Sequence, residues 1–315
     1  SLAGGPCWFT QVEVITRSER GQFVPAERLP VDVYKKLTSP RKAVGGVSFD
    51  EARIMGILNV TPDSFSDGGS FNGAAQALAH AEKMVAAGAD ILDVGGESTR
   101  PGATEVPHEA EIARTAPVIE AIRSKLATPI SIDTRKAAVA KAALSHGANM
   151  VNDVSGFTFD SELAPLCVRE KAPIFVMHAQ GDPMTMQRNP VYEDVLLDVY
   201  DFLERQVTML EGLGFVREQI VLDPGIGFGK TLDHNLTLLN GVSLFHGLGC
   251  ALLLGVSRKG FIGKIGKAPV ASDRAAGSIA VGLAGLAQGV QIIRVHDVAE
   301  TKQAMRLWQA VAQGE

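Results

Sequence analysis

Arg294 and His296 stand two residues apart in a short apolar segment, residues 292–297, with the sequence IIRVHD. Alternate side chains of a β-strand point to the same face, so the guanidinium and the imidazole are expected on one side. These side-chain types favour an anion, and a phosphate group also gains from the N-terminus of a following helix. A salt bridge to a loop carboxylate is the alternative. The pair predicts binding of a phosphate-like group.

Other apolar segments of the chain also end in polar residues or glycines. These ends are Asn59, residues 95–100, residues 133–135, Asn152, Asp153, His178, Asp223 and residues 257–259. A single aspartate at such a position is often the N-cap of the next helix, and a lone histidine or asparagine is more often structural. Many polar ends that meet at one edge need partners, because each is partly buried. Together they predict a ligand rich in hydrogen-bond donors and acceptors.

The chemical types of these residues divide into two groups. Asp133, Asn152 and Asp223 supply acceptors and one mixed donor and acceptor. Carboxylates bind adjacent N–H groups and an amide binds a neighbouring N–H and lone pair, which suits the edge of a 2-amino-4-oxo-pyrimidine ring. The second group is cationic and suits an anion; its members are Arg100, Lys259, Arg294 and His296. The sequence therefore predicts a ring-binding acidic group and an anion-binding cationic group.

Residues 224–231, PGIGFGKT, resemble a phosphate-binding P-loop. That motif requires glycine where Pro224 stands, so Lys230 and Thr231 are not expected to hold the phosphates of ATP. The glycines instead indicate a tight backbone turn beside a ligand.

The elements that must position these residues repeat along the chain from about residue 53. Short runs rich in Ile, Val and Leu, without clean alternation, are typical of strands buried on both faces of a parallel sheet. Segments with helical spacing lie between them. Eight strand candidates alternate with about eight helix candidates, which predicts an α/β fold, a (β/α)8 TIM barrel over residues 53–315. A doubly wound sheet is the alternative, but it usually needs fewer strands at this length.

Residues 1–52 precede the repeat. The stretches FTQVEVITR and FVPAERLP predict a strand or hairpin and a connector. A separate domain of this size would be poorly stabilised, so we expect an N-terminal extension packed on the barrel.

The composition argues against several classes of partner. The 315 residues carry a formal net charge of -5 and no cluster of Lys and Arg, so neither nucleic acid nor a membrane surface is expected to bind. Cys7, Cys167 and Cys250 form no C-x-x-C pair, which fits a reducing cytoplasm and argues against a disulfide framework or a zinc site. No signal peptide is recognisable, and the most apolar stretch, residues 278–293, is broken by glutamines and glycines. A soluble cytoplasmic protein is predicted.

Several long segments resemble the signature segments of bacterial dihydropteroate synthases. They are IMGILNVTPDSFSDGG, DILDVGGESTRPGA, ISIDTRKAAVA, NDVSG, VLDPGIGFGKT, LLLGVSRKGFIG and RVHD, in the expected order over residues 53–314. The resemblance implies an enzyme of folate synthesis that joins p-aminobenzoate to 6-hydroxymethyl-7,8-dihydropterin diphosphate, with Mg2+, and releases pyrophosphate. It also implies sulfonamides as mimics of p-aminobenzoate, and a homodimer formed through outer helices.

The resemblance further implies roles for individual residues. The pterin-binding set is Asp133, Asn152, Asp223, Lys259 and Arg294, with Phe228 and Met177 lining the slot. The set for the diphosphate and p-aminobenzoate is Thr99, Arg100, Arg294, His296 and Gly260, and Asn59 helps to hold Mg2+. The catalytic set is Asp133, Lys259, Arg294 and His296. Many members carry Ser where Gly260 stands, so here only a backbone N–H is available to the p-aminobenzoate carboxylate, and sulfonamide sensitivity does not follow.

The implied chemistry begins with departure of the diphosphate, because an aniline nitrogen is a weak nucleophile. Mg2+, Arg294 and His296 would neutralise the leaving group, and Asp133 would favour positive charge on the dihydropterin. Residues 61–73 and 97–109 are predicted loops that close over the site, with ordinary exposed loops as the alternative.

Two other functions compete with this one. A barrel that transfers a methyl group from methyltetrahydrofolate to a corrinoid would share the ring-binding side chains but hold no diphosphate, and Arg294 and His296 argue against it. A non-catalytic pterin-binding paralogue is disfavoured because the whole catalytic set is present.

Overall fold

The computed structural model describes residues 1–61, 69–98, 102–181, 186 and 188–313. Two residues of the predicted site, Thr99 and Arg100, therefore lie outside the described residues. Within the described ranges, no helix has both the length and the apolar character needed to cross a membrane.

A small hairpin and one helix precede the barrel. Strands β1 (Gln11–Val14) and β2 (Gln22–Pro25) pair antiparallel, and helix α1 (Val31–Thr38) follows. Arg17, in the hairpin turn, donates hydrogen bonds to Asp198 at 2.7 Å and to Asp201 at 2.5 Å on an outer helix. The extension thus packs on the barrel, as the sequence predicts.

Parallel strands form a closed barrel in the described part of the chain. Their ranges are β3 Arg53–Asn59, β4 Ile91–Gly95, β5 Ile130–Asp133, β6 Met150–Asp153, β7 Ile174–Met177, β8 Ile220–Asp223, β9 Ala251–Gly255 and β10 Ile292–Val295. Strand β10 pairs with both β3 and β9, which closes the sheet. The predicted (β/α)8 TIM barrel is confirmed, and the doubly wound sheet is excluded.

Helices surround the barrel. Their ranges are α2 Gly69–Ala87, α3 His108–Arg123, α4 Ala137–Ser145, α5 Leu163–Glu170, α6 Val195–Leu213, α7 Leu232–Asn240, α8 Gly260–Ile265, α9 Ala275–Leu286 and α10 Val298–Gln313. Helix α6 shows how the sequence marks their ends. Asp194 caps it by accepting the N–H groups of Leu196 and Leu197, and Gly214 ends it with a positive φ of 110°.

The two predicted loops are shorter than the sequence suggested. Helix α2 begins at Gly69, so residues 69–73 are helical, and residues 62–68 lie outside the described residues. Glycine and serine have low helix propensity, so the sequence alone favours a later start of this helix. Helix α3 begins at His108, with Pro107 as its N-cap residue, and the helix contains Pro117 in its interior.

The barrel interior is apolar at its N-terminal end. The cluster that fills it contains Met55, Ile91, Met150, Phe175, Val221, Leu253 and Ile292 from the strands. Val44 and Val47 of the extension join this cluster and close that end of the barrel. Gly45 lies between them with a φ of +56°, and a Cβ there would lie 2.6 Å from Sδ of Met150. The polar residues that end the strands lie at the opposite end of the barrel, where the strands have their carboxyl ends.

Candidate active site

The predicted ring-binding group lies at the carboxyl ends of three strands. Asp133 ends β5 and is in register with Asn152 on β6, and Asp223 ends β8. All three are buried, with relative exposures of 8%, 6% and 7%. The structure brings them together at the mouth of the barrel, where the strand ends converge.

A further acid, Asp93, lies deeper in the barrel and was missed by the sequence reasoning. It is the third residue of β4 and is fully buried. Its Oδ2 accepts hydrogen bonds from Nδ2 of Asn152 at 3.1 Å and from Nε of Arg294 at 2.6 Å. The signal in the sequence is a charged residue inside an otherwise apolar strand, where a carboxylate is tolerated only if it is paired.

Arg294 connects two of these acids. Its Nη2 donates a hydrogen bond to Oδ2 of Asp133 at 2.8 Å, while its Nε bonds Asp93. The sequence suggested a phosphate or a loop carboxylate as its partner, whereas both partners here are carboxylates of barrel strands. The inward-facing residues of β4, β5 and β10 meet, and a partly buried guanidinium beside the fully buried Asp93 needs a counter-charge. Arg294 therefore lies among the ring-binding acids.

Two of the buried acids can accept further hydrogen bonds. Among the described residues, Oδ1 of Asp93 and Oδ1 of Asp133 are buried without a hydrogen-bond partner. Burial raises the pKa of Asp133 to about 8, with the charge of Arg294 opposing the shift. Burial also raises the pKa of Asp223 to about 6. Buried acids with unpartnered oxygens favour a ligand that presents N–H groups.

The loop after β8 forms one wall of the mouth. Gly225 has a φ of +69°, and a Cβ there would lie 1.8 Å from the carbonyl oxygen of His178, so only glycine fits. The loop places the Phe228 ring under Nζ of Lys259, 4.0 Å from the ring centroid, which is a cation–π contact. Met177 is buried at the end of β7, beside Gly225. These contacts gather Phe228, Lys259 and Met177 around one loop.

Lys230 explains why the P-loop resemblance is only partial. Its side chain is buried, and Nζ lies 2.9 Å from Nδ1 of His178 and donates to the Phe228 carbonyl oxygen at 3.0 Å. Burial lowers the pKa of Lys230 to about 7 and that of His178 to about 2. The lysine holds the loop from inside the protein and does not project from it toward a phosphate.

His296 is held at the rim by Ser257. Nδ1 of His296 lies 2.9 Å from the Ser257 hydroxyl, which also accepts the backbone N–H of His296 at 3.1 Å. These two contacts fix the orientation of the imidazole. Arg258, next to Ser257, forms a salt bridge with Asp297, so its charge is balanced within the protein.

Asn59 ends β3 close to Asp133. A Cβ added to Gly95 would lie 3.6 Å from Oδ1 of Asn59 and 3.7 Å from Oδ2 of Asp133, so Gly95 leaves room between them. The described residues contain no group of three or more His, Cys, Asp or Glu side chains that could hold a metal ion. Asn59 offers one amide oxygen, which fits an ion such as Mg2+ that takes its other ligands from substrate phosphates and water.

Gly260 is the first residue of α8, directly after Lys259. No described atom lies within 4 Å of a Cβ added there. A serine side chain would fit, so the glycine removes a hydroxyl without any demand from packing.

A buried charged cluster supports the connection between β4 and α3. Lys136 is fully buried, and its Nζ donates to Glu97 at 3.0 Å, to Glu111 at 2.8 Å and to the Val106 carbonyl oxygen at 2.6 Å. The Glu97 carboxylate also accepts the N–H of Val106 at 2.7 Å. The cluster, which the sequence reasoning missed, holds together the two ends of residues 98–105.

Relatives of known name match most of the chain. A family model described as pterin binding enzyme matches residues 55–296. The dihydropteroate synthase of Synechocystis sp. is 46% identical over 275 residues, which cover 86% of this chain and 95% of that protein. The chain belongs to the pterin-binding enzyme family, as a dihydropteroate synthase.

Solved structures of this family have the same fold. The Xanthomonas albilineans dihydropteroate synthase with 4-aminobenzoic acid is 41% identical, with a TM-score of 0.79 over 84% of this chain and 94% of that one. The Yersinia pestis dihydropteroate synthase with a sulfonamide drug is 41% identical, with a TM-score of 0.80 over 84% of this chain and 96% of that one. These relatives are named dihydropteroate synthases, which argues against the corrinoid methyltransferase that the sequence left as an alternative.

Proposed function

We propose that the mouth of the barrel joins 6-hydroxymethyl-7,8-dihydropterin diphosphate to p-aminobenzoate, forming 7,8-dihydropteroate and releasing pyrophosphate. The observation that carries this proposal is the convergence of the ring-binding acids with Arg294 at one end of the barrel. Membership of the family supports it, as do the relatives solved with 4-aminobenzoic acid and with a sulfonamide.

The pterin ring is bound by the acidic group and by the loop after β8. Asp133, Asn152 and Asp223 face the ring edge that carries N–H groups. Each is buried, so an N–H partner is worth more there than in water. Phe228 and Met177 line the slot, and Lys259 binds a ring acceptor while its charge stays over Phe228.

The diphosphate is bound at the rim. His296, oriented by Ser257, donates to a phosphate oxygen, and Arg294 supplies positive charge between the ring and the diphosphate. Asn59 is the residue proposed to hold Mg2+, which, when bound, neutralises the charge that builds on the leaving group.

Asp133 stabilises the positive charge that grows on the dihydropterin as the bond between the exocyclic carbon and the diphosphate oxygen breaks. Burial raises the pKa of Asp133 and the guanidinium of Arg294 opposes this shift, so the ion pair with Arg294 favours the charged carboxylate that this role requires. Pyrophosphate leaves with the electrons of that carbon–oxygen bond. The amine of p-aminobenzoate then forms the new C–N bond at the same carbon, and the proton that the amine loses passes to water. Thr99, Arg100 and the N–H of Gly260 are the proposed partners of the p-aminobenzoate carboxylate.

Pyrophosphate release tests this function. The protein is mixed with the pterin diphosphate, Mg2+ and p-aminobenzoate, and each is left out in turn. Release that requires all three supports the synthase, with Mg2+ as cofactor. Binding of the pterin diphosphate without any release would instead identify a non-catalytic paralogue.

The homodimer implied by the resemblance and the cytoplasmic location predicted from the cysteines belong to the same proposal. The chain has a mass of 33.3 kDa, so sedimentation of the purified protein separates a monomer from a pair. A mass of a single chain at micromolar concentration would contradict the dimer.

A further inference from the structure

The contact between Asn152 and Asp93 decides which end of the Asn152 amide faces a ligand. Nδ2 of Asn152 donates to Oδ2 of Asp93 at 3.1 Å. A carboxylate accepts hydrogen bonds and repels a carbonyl oxygen, so the amide cannot be turned the other way while this partner is present. The carbonyl oxygen Oδ1 of Asn152 is therefore directed away from Asp93.

Arg294 supplies the positive charge that the buried Asp93 carboxylate needs. Its Nε donates to the same oxygen, Oδ2 of Asp93, at 2.6 Å and forms a salt bridge with it. The Asp93 side chain is fully buried, and its other oxygen has no partner among the described residues. A buried carboxylate without this counter-charge would be strongly disfavoured.

We propose that Asp93 is a positioning residue that sets the polarity of Asn152 and thereby makes the ring-binding group accept hydrogen bonds throughout. With Oδ1 of Asn152 facing the ring, Asp133, Asn152 and Asp223 all present acceptors. The group then selects a ring edge that carries N–H donors, as a 2-amino-pteridine does. A 2-oxo-pteridine places a carbonyl oxygen at the same edge and is rejected. The inference rests on the proposed function, because it assumes that a pterin occupies the mouth.

The expected effect follows from the loss of this orientation. In Asp93→Asn, the new amide can donate or accept, so Asn152 can adopt either orientation. A site built to bond N–H groups rejects an analogue that leaves them unpaired, by large factors. Asp93→Asn should therefore lower the preference for the 2-amino ring over the 2-oxo ring by about 10-fold or more.

Calorimetric titration with 6-hydroxymethylpterin and with its 2-oxo counterpart tests the idea in four proteins. These are the unchanged chain, Asp93→Asn, Asn152→Ala and the double variant. The drop in preference caused by Asp93→Asn should disappear when Asn152 is alanine, because the two residues act as a unit. An equal drop in both backgrounds would overturn the proposal, since Asp93 would then act on the barrel or through Arg294. Asp90→Asn is the matched control. Asp90 accepts the N–H of Ile54 at 2.8 Å at the other end of the barrel, so the preference of this variant for the 2-amino ring over the 2-oxo ring should not change.

Asn152→Asp is a second test that leaves Asp93 in place, should Asp93→Asn fail to fold. Two carboxyl groups in hydrogen-bonding contact must share a proton, so the pterin affinity of Asn152→Asp, measured relative to that of the unchanged chain at each pH, should fall as the pH rises, while the preference for the 2-amino ring is kept. A relative affinity that is independent of pH, or a lost preference, would overturn the proposal. Failure of the unchanged chain to bind either ring would contradict the proposed function itself, which separates the two outcomes.

Discussion

Nη2 of Arg294 lies 2.8 Å from Oδ2 of Asp133, so a member of the cationic group is bonded directly to a member of the acidic group. The same guanidinium bonds Asp93 through Nε. The sites for the ring and for the diphosphate therefore share one side chain. A change at Asp133 alters the charge balance around Arg294, and a change at Arg294 leaves the acids without their counter-charge.

Asp133→Asn should leave the barrel folded and lower turnover by about 100-fold or more. The amide has nearly the size of the carboxyl group, but it cannot carry the negative charge that opposes the charge developing on the pterin. Turnover is measured by pyrophosphate release and folding by the thermal unfolding midpoint. Asp90→Asn, at the opposite end of the barrel, is the control for the same chemical change. Turnover close to that of the unchanged chain would rule out Asp133 as the electrostatic partner.

His296→Ala and Arg294→Ala should differ in which ligands they affect. His296 lies at the rim with Ser257, so its loss should weaken binding of the pterin diphosphate about 10-fold and leave 6-hydroxymethylpterin unaffected. Loss of Arg294 removes the counter-charge of Asp93 and Asp133, so affinity for both ligands should change. Calorimetric titration with each ligand separates the two cases. Equal weakening of both ligands by His296→Ala would contradict its assignment to the diphosphate.

The barrel can be predicted from the sequence because its strands are buried on both faces. Residues 54–58 of strand β3, IMGIL, and strand β9, ALLLG, are continuous apolar runs, which few other elements of this length produce. The ends of the elements are less predictable. Helix α2 starts at Gly69 although glycine and serine have low helix propensity, so propensity alone does not predict this end.

Asp93 shows where sequence reasoning about the site stops. Asp133, Asn152 and Asp223 end apolar runs, so the barrel fold alone predicts that they meet. Asp93 stands two residues before the end of β4, and its partner Arg294 is 201 positions away in the chain. The periodicity of a strand predicts which residues point inward, but not which inward side chains touch. Only the closed arrangement of β4, β5 and β10 brings this pair together.

Lys136→Met should lower the free energy of unfolding by about 3–5 kcal/mol, because it leaves Glu111 buried without a counter-charge and leaves Glu97 paired only with Arg135. Adding Glu97→Gln and Glu111→Gln should recover most of this loss, since uncharged groups cost less to bury. Urea unfolding of the single and triple variants measures both effects. Lys42→Met is the control, because Lys42 pairs with Glu218 at the surface and should matter little. A single variant as stable as the unchanged chain would show that the cluster is not held by its charges.

His178→Gln should change how stability depends on pH. Burial lowers the pKa of His178 to about 2 from an ordinary value of 6.5, so the imidazole stays neutral in the folded protein. The unfolded chain binds a proton below pH 6.5 and the folded chain does not, so stability falls as the pH decreases through this window. One such proton costs about 1.4 kcal/mol for each pH unit. Glutamine keeps an acceptor for Nζ of Lys230, which lies 2.9 Å from Nδ1 of His178, and removes the titration.

The difference in unfolding free energy between His178→Gln and the unchanged chain isolates this proton, because the buried acids titrate in both proteins and cancel. Urea titrations between about pH 6.5 and 4.5 should show the difference shifting toward the variant by about 1.4 kcal/mol per pH unit. His246→Gln is the matched comparison: burial lowers the pKa of His246 to about 4, so the same trend should appear and level off near that pH. If the difference for His178→Gln did not depend on pH, His178 would bind its proton in the folded protein as readily as in the unfolded chain. Burial beside Lys230 would then not keep His178 neutral.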